Sequence, residues 1–115
     1  MRQKIYDTLQ NLGYPIGLQG SFEIEEIPES VITYRIAASS DLRLYDNRPW
    51  VTGYSIEINF YSRKIGLIDS VSKRISESML EAGFTRDGPG YDAGYDKDTG
   101  HYGYMMDFYY LEGGK

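Results

Sequence analysis

Residues Val51–Ser62, VTGYSIEINFYS, alternate strictly: Tyr54, Ile56, Ile58 and Phe60 on one side, Ser55, Glu57, Asn59 and Tyr61 on the other. A period of two sustained over that length belongs to a strand with one apolar face, and an apolar face must be covered. The cover follows almost at once. Ile68, Val71, Ile75, Met79 and Ala82 recur at helical spacing, with Asp69, Lys73, Arg74, Glu77 and Glu81 on the remaining faces and Gly83 closing the run. A one-striped helix beside a one-faced strand predicts a layered α+β domain.

The other segments fit that plan. Across Arg2–Asn11 and just beyond, Ile5, Leu9 and Leu12 lie on one helical face, and Gly13 stands where a left-handed cap belongs. The Gly13–Ile27 stretch holds Pro15, several glycines and the acids Glu23, Glu25 and Glu26, which predicts a mostly irregular surface connection. Alternation of Phe22 and Ile24 with the glutamates allows a brief edge strand around Ser21–Ile27. After Pro28, the β-branched run SVITYRIAAS predicts a strand with Ile32, Tyr34, Ile36 and Ala38 on one face. Ser40–Trp50 breaks the pattern and reads as a hairpin loop longer than the usual two to five or so residues.

Phe84–Arg86 opens a further strand that DGPG interrupts, and the chain returns through DKDTG into His101–Leu111. There Tyr102, Tyr104, Met106, Phe108 and Tyr110 alternate with His101, Gly103, Met105, Asp107 and Tyr109. The expected architecture is one domain over residues 1–115, a two-layer sandwich in the order α-β-β-α-β-β. An antiparallel sheet of about four strands is covered on one face by two helices.

A net charge of −5 with no Lys/Arg cluster argues against a dedicated nucleic-acid binder and for no sequence-specific nucleic-acid partner. The absence of cysteine excludes disulfides and thiolate chemistry. The opening MRQKIYDTLQ never becomes an apolar run, so neither a signal peptide nor a membrane partner is expected, and a cytoplasmic origin fits. No G-x-S-x-G, H-E-x-x-H, Walker or G-x-G-x-x-G motif occurs, and the expectation is a non-enzyme without catalytic residues or cofactors.

Two features invite chemistry. Asp96, Asp98 and Gly100 form D-x-D-x-G, which opens calcium loops, but an EF-hand loop closes on a bidentate Glu where this chain has Asp107. A hairpin turn using Asp and Gly for side-chain caps and positive φ is the preferred reading, with Asp96 and Asp98 kept as weak metal candidates. His101, the single histidine, has no spacing that selects a nucleophile or an orienting acid, and an exposed strand-end histidine is expected. The acidic Glu23–Glu26 segment reads as a solvated loop.

Tyrosine outnumbers phenylalanine twelve to four, and its amphipathic ring suits surfaces that are packed on one side and meet water or a partner on the other. Trp50 with Tyr45 and Arg48 gathers the residue types that dominate interface hot spots, although Trp50 could equally fold back and close the core. The expected partner or oligomer interface is Tyr45, Arg48, Trp50, Tyr61, Tyr91, Tyr95, His101 and Tyr109.

The strand YSIEINFYSRK, the helix ending ISESMLEAGF and the hairpin YDKDTGHYGYMMDFYY, with LQNLGYPI and IPESVITYRI before them, resemble the small tail-completion or tail-terminator proteins of long-tailed bacteriophages and prophages. That resemblance covers most of the chain and carries no catalytic signature. It implies a structural virion protein assembled in the bacterial cytoplasm, a homo-oligomeric and commonly hexameric ring at the head–tail junction. Tail-tube and head-completion proteins are its implied partners. The loops that face ring neighbours, the lumen or the tube map onto Ser40–Trp50 and Gly88–Gly100. The glycine-rich, acidic Gly13–Ile27 connection has no counterpart in the pattern. The alternative is a small cation- or ligand-binding module.

Overall fold

The computed structural model describes residues 1–23, 26–42 and 51–113. Helix α1 spans Arg2–Leu9, and a 3-10 turn over Gln10–Leu12 ends on Gly13 at φ 87°. Strand β1 is Ile16–Leu18, β2 Ser30–Leu42 and β3 Val51–Ser62; helix α2 is Ile65–Glu81; β4 is Thr85–Arg86, β5 Tyr91–Asp96 and β6 His101–Gly113. The class is α+β. In place of about four antiparallel strands, six form a mixed sheet in the order β1-β2-β3-β6-β4, with β5 also on β6.

Two causes account for the difference. Strands β4 and β5 flank β6 on the same side, one against Phe108–Tyr109 and the other against His101–Met105. They are one strand that Gly88 and Gly90, both at positive φ, bend in the middle. The Gly88–Gly100 segment, expected as a loop, therefore contains a paired strand. The second cause is β1, which lies parallel to β2 with Ile16 opposite Ile32 and Leu18 opposite Tyr34. The Ile32 N–H donates to the Pro15 carbonyl at 2.8 Å and the Gln19 N–H to the Tyr34 carbonyl at 2.8 Å. The described edge strand thus sits at Ile16–Leu18; of the expected Ser21–Ile27, the described residues 21–23 and 26–27 are not strand, and residues 24 and 25 lie outside the described residues.

Both helices cover one sheet face. Ile5 and Leu9 of α1 and Ile68, Val71, Ile75 and Met79 of α2 share one buried cluster with Ile32, Ile56, Ile58, Phe60, Met106 and Phe108. Each such side chain contributes about 1.5–3 kcal/mol on full burial. This cluster fixes which face of every strand turns inward, and the even residues of β6 point to the helices as the alternation predicts. Helix α2 stops in a Schellman motif: Phe84 N–H donates to Met79 O at 3.0 Å and Gly83 N–H to Leu80 O at 3.1 Å, with Gly83 at φ 96°. The apolar contact that accompanies this motif is supplied by Phe84 and Met79, both buried.

Strand β2 does not keep one phase. Ile36 pairs with Ile56, but the next pair is Ala38 with Ser55, so Ala37 is an extra, bulged residue. Beyond it the inward positions are Ser39 and Asp41, opposite Tyr54 and Thr52, and Ala38 turns outward, against the expected face. Pairing continues through Ser40–Gly53 and Asp41–Thr52 to Leu42–Val51, so the expected loop Ser40–Trp50 begins later than the sequence predicts. Its remainder, with Tyr45, Arg48 and Trp50, lies outside the described residues. The outcome is a long ribbon of β2, β3 and β6, and a molecule of 53 × 25 × 23 Å.

Candidate functional site

The sheet face away from the helices carries Thr33 and Arg35 of β2, Glu57, Asn59 and Tyr61 of β3, and His101, Gly103 and Asp107 of β6. Alternation predicts water over this face. Yet Val31 is 1%, Thr33 5%, Asn59 0% and His101 3% exposed. Parallel pairing is the reason: parallel neighbours need a crossover connection, and here its described residues Gln19, Phe22, Ile27 and Pro28 lie over the open face.

On the far side of that face the β5–β6 hairpin rises as a second wall. Asp92 pairs with Tyr104 and Gly94 with Gly103, so Ala93 is bulged. The Asp96–Gly100 turn closes on itself: Asp96 Oδ1 accepts the Asp98 N–H at 2.9 Å and Asp96 O the Gly100 N–H at 2.7 Å. Arg63 Nε donates to Thr99 O at 3.0 Å and ties the turn to the end of β3. Between the two walls lies a concavity of about 750 Å³ lined by Gln19, Phe22, Thr33, Tyr61, Tyr95 and His101 among others. That is the size of pockets that hold small organic ligands.

Two aromatic rings in the lining rest on glycines. The Cδ1–Cε1 edge of Tyr61 lies 2.8 Å from where a Gly103 Cβ would sit, and Phe22 Cε2 lies 2.9 Å from the corresponding point at Gly17. Any side chain at either glycine would lift its ring off the backbone. Beneath the concavity runs a hydrogen-bonded chain. Gln19 Oε1 accepts from Thr33 Oγ1 at 2.6 Å and from Asn59 Nδ2 at 2.9 Å; Asn59 Nδ2 also reaches Glu57 Oε1 at 3.1 Å. Arg35 pairs with Glu57 at 2.8 Å.

The electrostatics follow from these contacts. Burial pushes the Glu57 carboxyl up, but hydrogen bonds from Arg35 and Asn59 outweigh it and hold the group below its ordinary value. The Arg35 guanidinium is raised, chiefly by its hydrogen bond to Glu57. Asp107, directly opposite Glu57 on β6, is raised by burial and then by the charges of Glu57 and Asp87. Burial also raises the Tyr61 hydroxyl, against a lowering hydrogen bond from Gln19.

His101 is not the exposed histidine expected. Its Nε2 lies 2.8 Å from the Pro28 carbonyl, which can only accept, so Nε2 carries the proton and the ring clasps the crossover to β6. Its Nδ1 is buried and has no partner among the described residues. Asp96 caps its own turn between the paired strands β5 and β6, so the preferred hairpin reading of D-x-D-x-G matches the geometry.

Of the expected interface residues, Tyr61, Tyr95 and His101 meet around the concavity. Tyr95 is 58% and Tyr91 55% exposed on β5, and the Tyr95 ring packs on Tyr102 at 4.8 Å between centroids. Tyr109 is elsewhere and half-buried, its ring occupying the space over Gly53. Gln19, Phe22, Thr33 and Asn59 were not singled out by sequence. Their signal was an aromatic in an acidic connection and an amide within an apolar strand.

These features define an α+β domain whose helix-free sheet face is walled at one end into a concave site. No protein-family model matches the chain, and no curated protein matches its sequence.

Proposed function

We propose that the protein is a non-enzymatic virion assembly subunit, a tail terminator or completion protein that forms a homo-oligomeric ring at the head–tail junction and contacts tail-tube and head-completion proteins. The observation that supports this reading is the pair of unlike open edges on the long ribbon. Strand β1 covers β2 only through Tyr34, which leaves the Ile36–Leu42 edge unpaired among the described residues. On the opposite side of the sheet, β4 covers β6 no further than Tyr109, which leaves Tyr110–Gly113 unpaired there. An unpaired edge is a template for another strand. Two different edges joining head to tail make a heterologous contact, which closes into a ring when the rotation permits.

Mass measurement by light scattering, with and without tail-tube protein, tests the reading: a closed oligomer is expected, and a strict monomer under both conditions overturns it. Ile32 and Tyr34 direct their backbone groups at β1, and beyond the bulge Ser39 and Asp41 hold the equivalent orientation. Ser39→Pro removes an edge N–H without breaking a sheet hydrogen bond. It is expected to shift the mass toward monomer while thermal unfolding stays cooperative.

A second reading, a small-ligand module, is favoured by the concavity. The two are compatible, because the concavity and the open edges occupy opposite ends of β3 and β6.

A further inference from the structure

We infer that copies of this chain join by parallel strand pairing, the β6 edge of one copy against the β2 edge of the next, with Leu111 packed beside Ser40. This deepens the assembly reading and rests on it.

The direction follows from topology. Strand β3 runs antiparallel to both β2 and β6, so β2 and β6 point the same way. In a cyclic ring every copy presents its strands and its helices in the same sense about the axis. A β6 edge that meets β2 of the next copy is therefore parallel to it, with the helices of both copies on one side of the continued sheet. Like edges would pair about a two-fold axis instead and leave the other edge of each copy open.

The two edges are also level. Ser39, Tyr54 and Tyr110 share one rung of the ribbon, Ser40, Gly53 and Leu111 the next, then Asp41, Thr52 and Glu112, then Leu42, Val51 and Gly113. Strand β1 has ended at Tyr34 and β4 at Tyr109, so both outer edges open on these same rungs among the described residues. Neither residues 36–42 nor 110–113 include a Lys or Pro, which commonly guard a solitary edge. Asp41 is held within its own copy by Thr52 Oγ1, which donates to it at 2.9 Å.

Hydrogen bonding fixes the matching faces. Asp107 O accepts the Asp87 N–H at 2.8 Å, so every second residue from Asp107, Leu111 and Gly113 included, aims its backbone groups at this edge. On β2 the outward groups beyond the bulge belong to Ser39 and Asp41. In a parallel ladder such a residue bonds the two that flank its partner, which sets Leu111 beside Ser40 or a residue two positions from it. Level pairing would put Glu112 beside Asp41 of the next copy, and a slide of two residues parts these carboxylates without changing faces. Leu111, 54% exposed, then meets the helix-free face on which Ala38 and Ser40 lie small and exposed. One edge carries an apolar projection and the other a flat seat for it.

The chain lacks cysteine, so introduced thiols report the joint without background. Leu111→Cys and Ser40→Cys proteins are mixed, with tail-tube protein present, and treated with a short bis-maleimide, neighbouring strands being about 5 Å apart. The mixture should give a linked pair and neither variant alone should; Gly113→Cys takes the place of Leu111→Cys if the latter is monomeric. Leu111→Cys mixed with Ser39→Cys, on the opposite face, should link at least about fivefold less. Leu111→Asp should raise the concentration at which the oligomer dissociates by about tenfold or more, with thermal unfolding unchanged. A parent chain that stays strictly monomeric in light scattering overturns ring and joint together. An oligomer whose mixture does not link, whose single variants link to themselves, whose Ser39→Cys links equally, or which ignores Leu111→Asp overturns the joint alone.

Discussion

Glu57 and Asp107 face each other across β3 and β6, two carboxylates in directly opposed positions, with Arg35 bonded to only one of them. Like charges opposed in this way destabilise a sheet. The two titrations therefore carry opposite signs. Glu57, held below its ordinary value, contributes stability above that value and loses it as pH falls through the depressed one. Asp107, raised, favours the folded state below its ordinary value of 3.8 and opposes it once pH rises through the elevated one. Asp107→Asn should thus stabilise the protein near neutral pH by about 0.2–1 kcal/mol. The gain should vanish below the ordinary carboxylate range, and urea unfolding at the two pH values measures it. Sequence shows both acids on the polar face of their strands, but not that they are opposed, since register depends on how distant segments pair. His101 illustrates the same limit. Its outward phase was legible, whereas its burial depends on a crossover more than seventy positions earlier, closed by the bond to Pro28.

At the scale of elements, β3 and β6 are joined by a lock that a pattern of apolar and polar letters does not reveal. Tyr109 is paired with Ser55, yet its ring leans diagonally into the space over Gly53. Gly53→Ala puts a methyl group into that ring and should cost about 1–3 kcal/mol. The same substitution in a Tyr109→Ala background should cost much less, and the double-mutant cycle gives the coupling from denaturant midpoints. The helices and the strands β2, β3 and β6 were legible because burial on one face imposes a period that runs through each of them. Strand β1 was not, since Ile16–Leu18 is too short to show a period and is defined by the partner it finds. Strands β4 and β5 were half legible: the interruption at DGPG was visible, and the resumption at Tyr91 was hidden because every residue of Tyr91–Asp96 is exposed and no face is marked by burial.

Over the whole molecule, a walled cleft lies at one end of the ribbon and open edges at the other. The ribbon's direction relative to the helices hinges on Ala37. Every pair before it sums to one register and every pair after it to the next, so removing this one residue would align Ile36–Ile56 and Ala38–Ser55 as consecutive rungs of an uninterrupted ladder. The deletion breaks no pair and touches no core side chain. It should leave the unfolding midpoint within about 1 kcal/mol of the parent in stability while straightening the strand that the bulge bends. On the proposed ring-forming reading, light scattering should then report a changed or lost oligomer from a chain that folds as before. Ala37 in that sense is a steering joint: the fold specifies how firmly the projecting ribbon is held, and a single surplus residue specifies where it points.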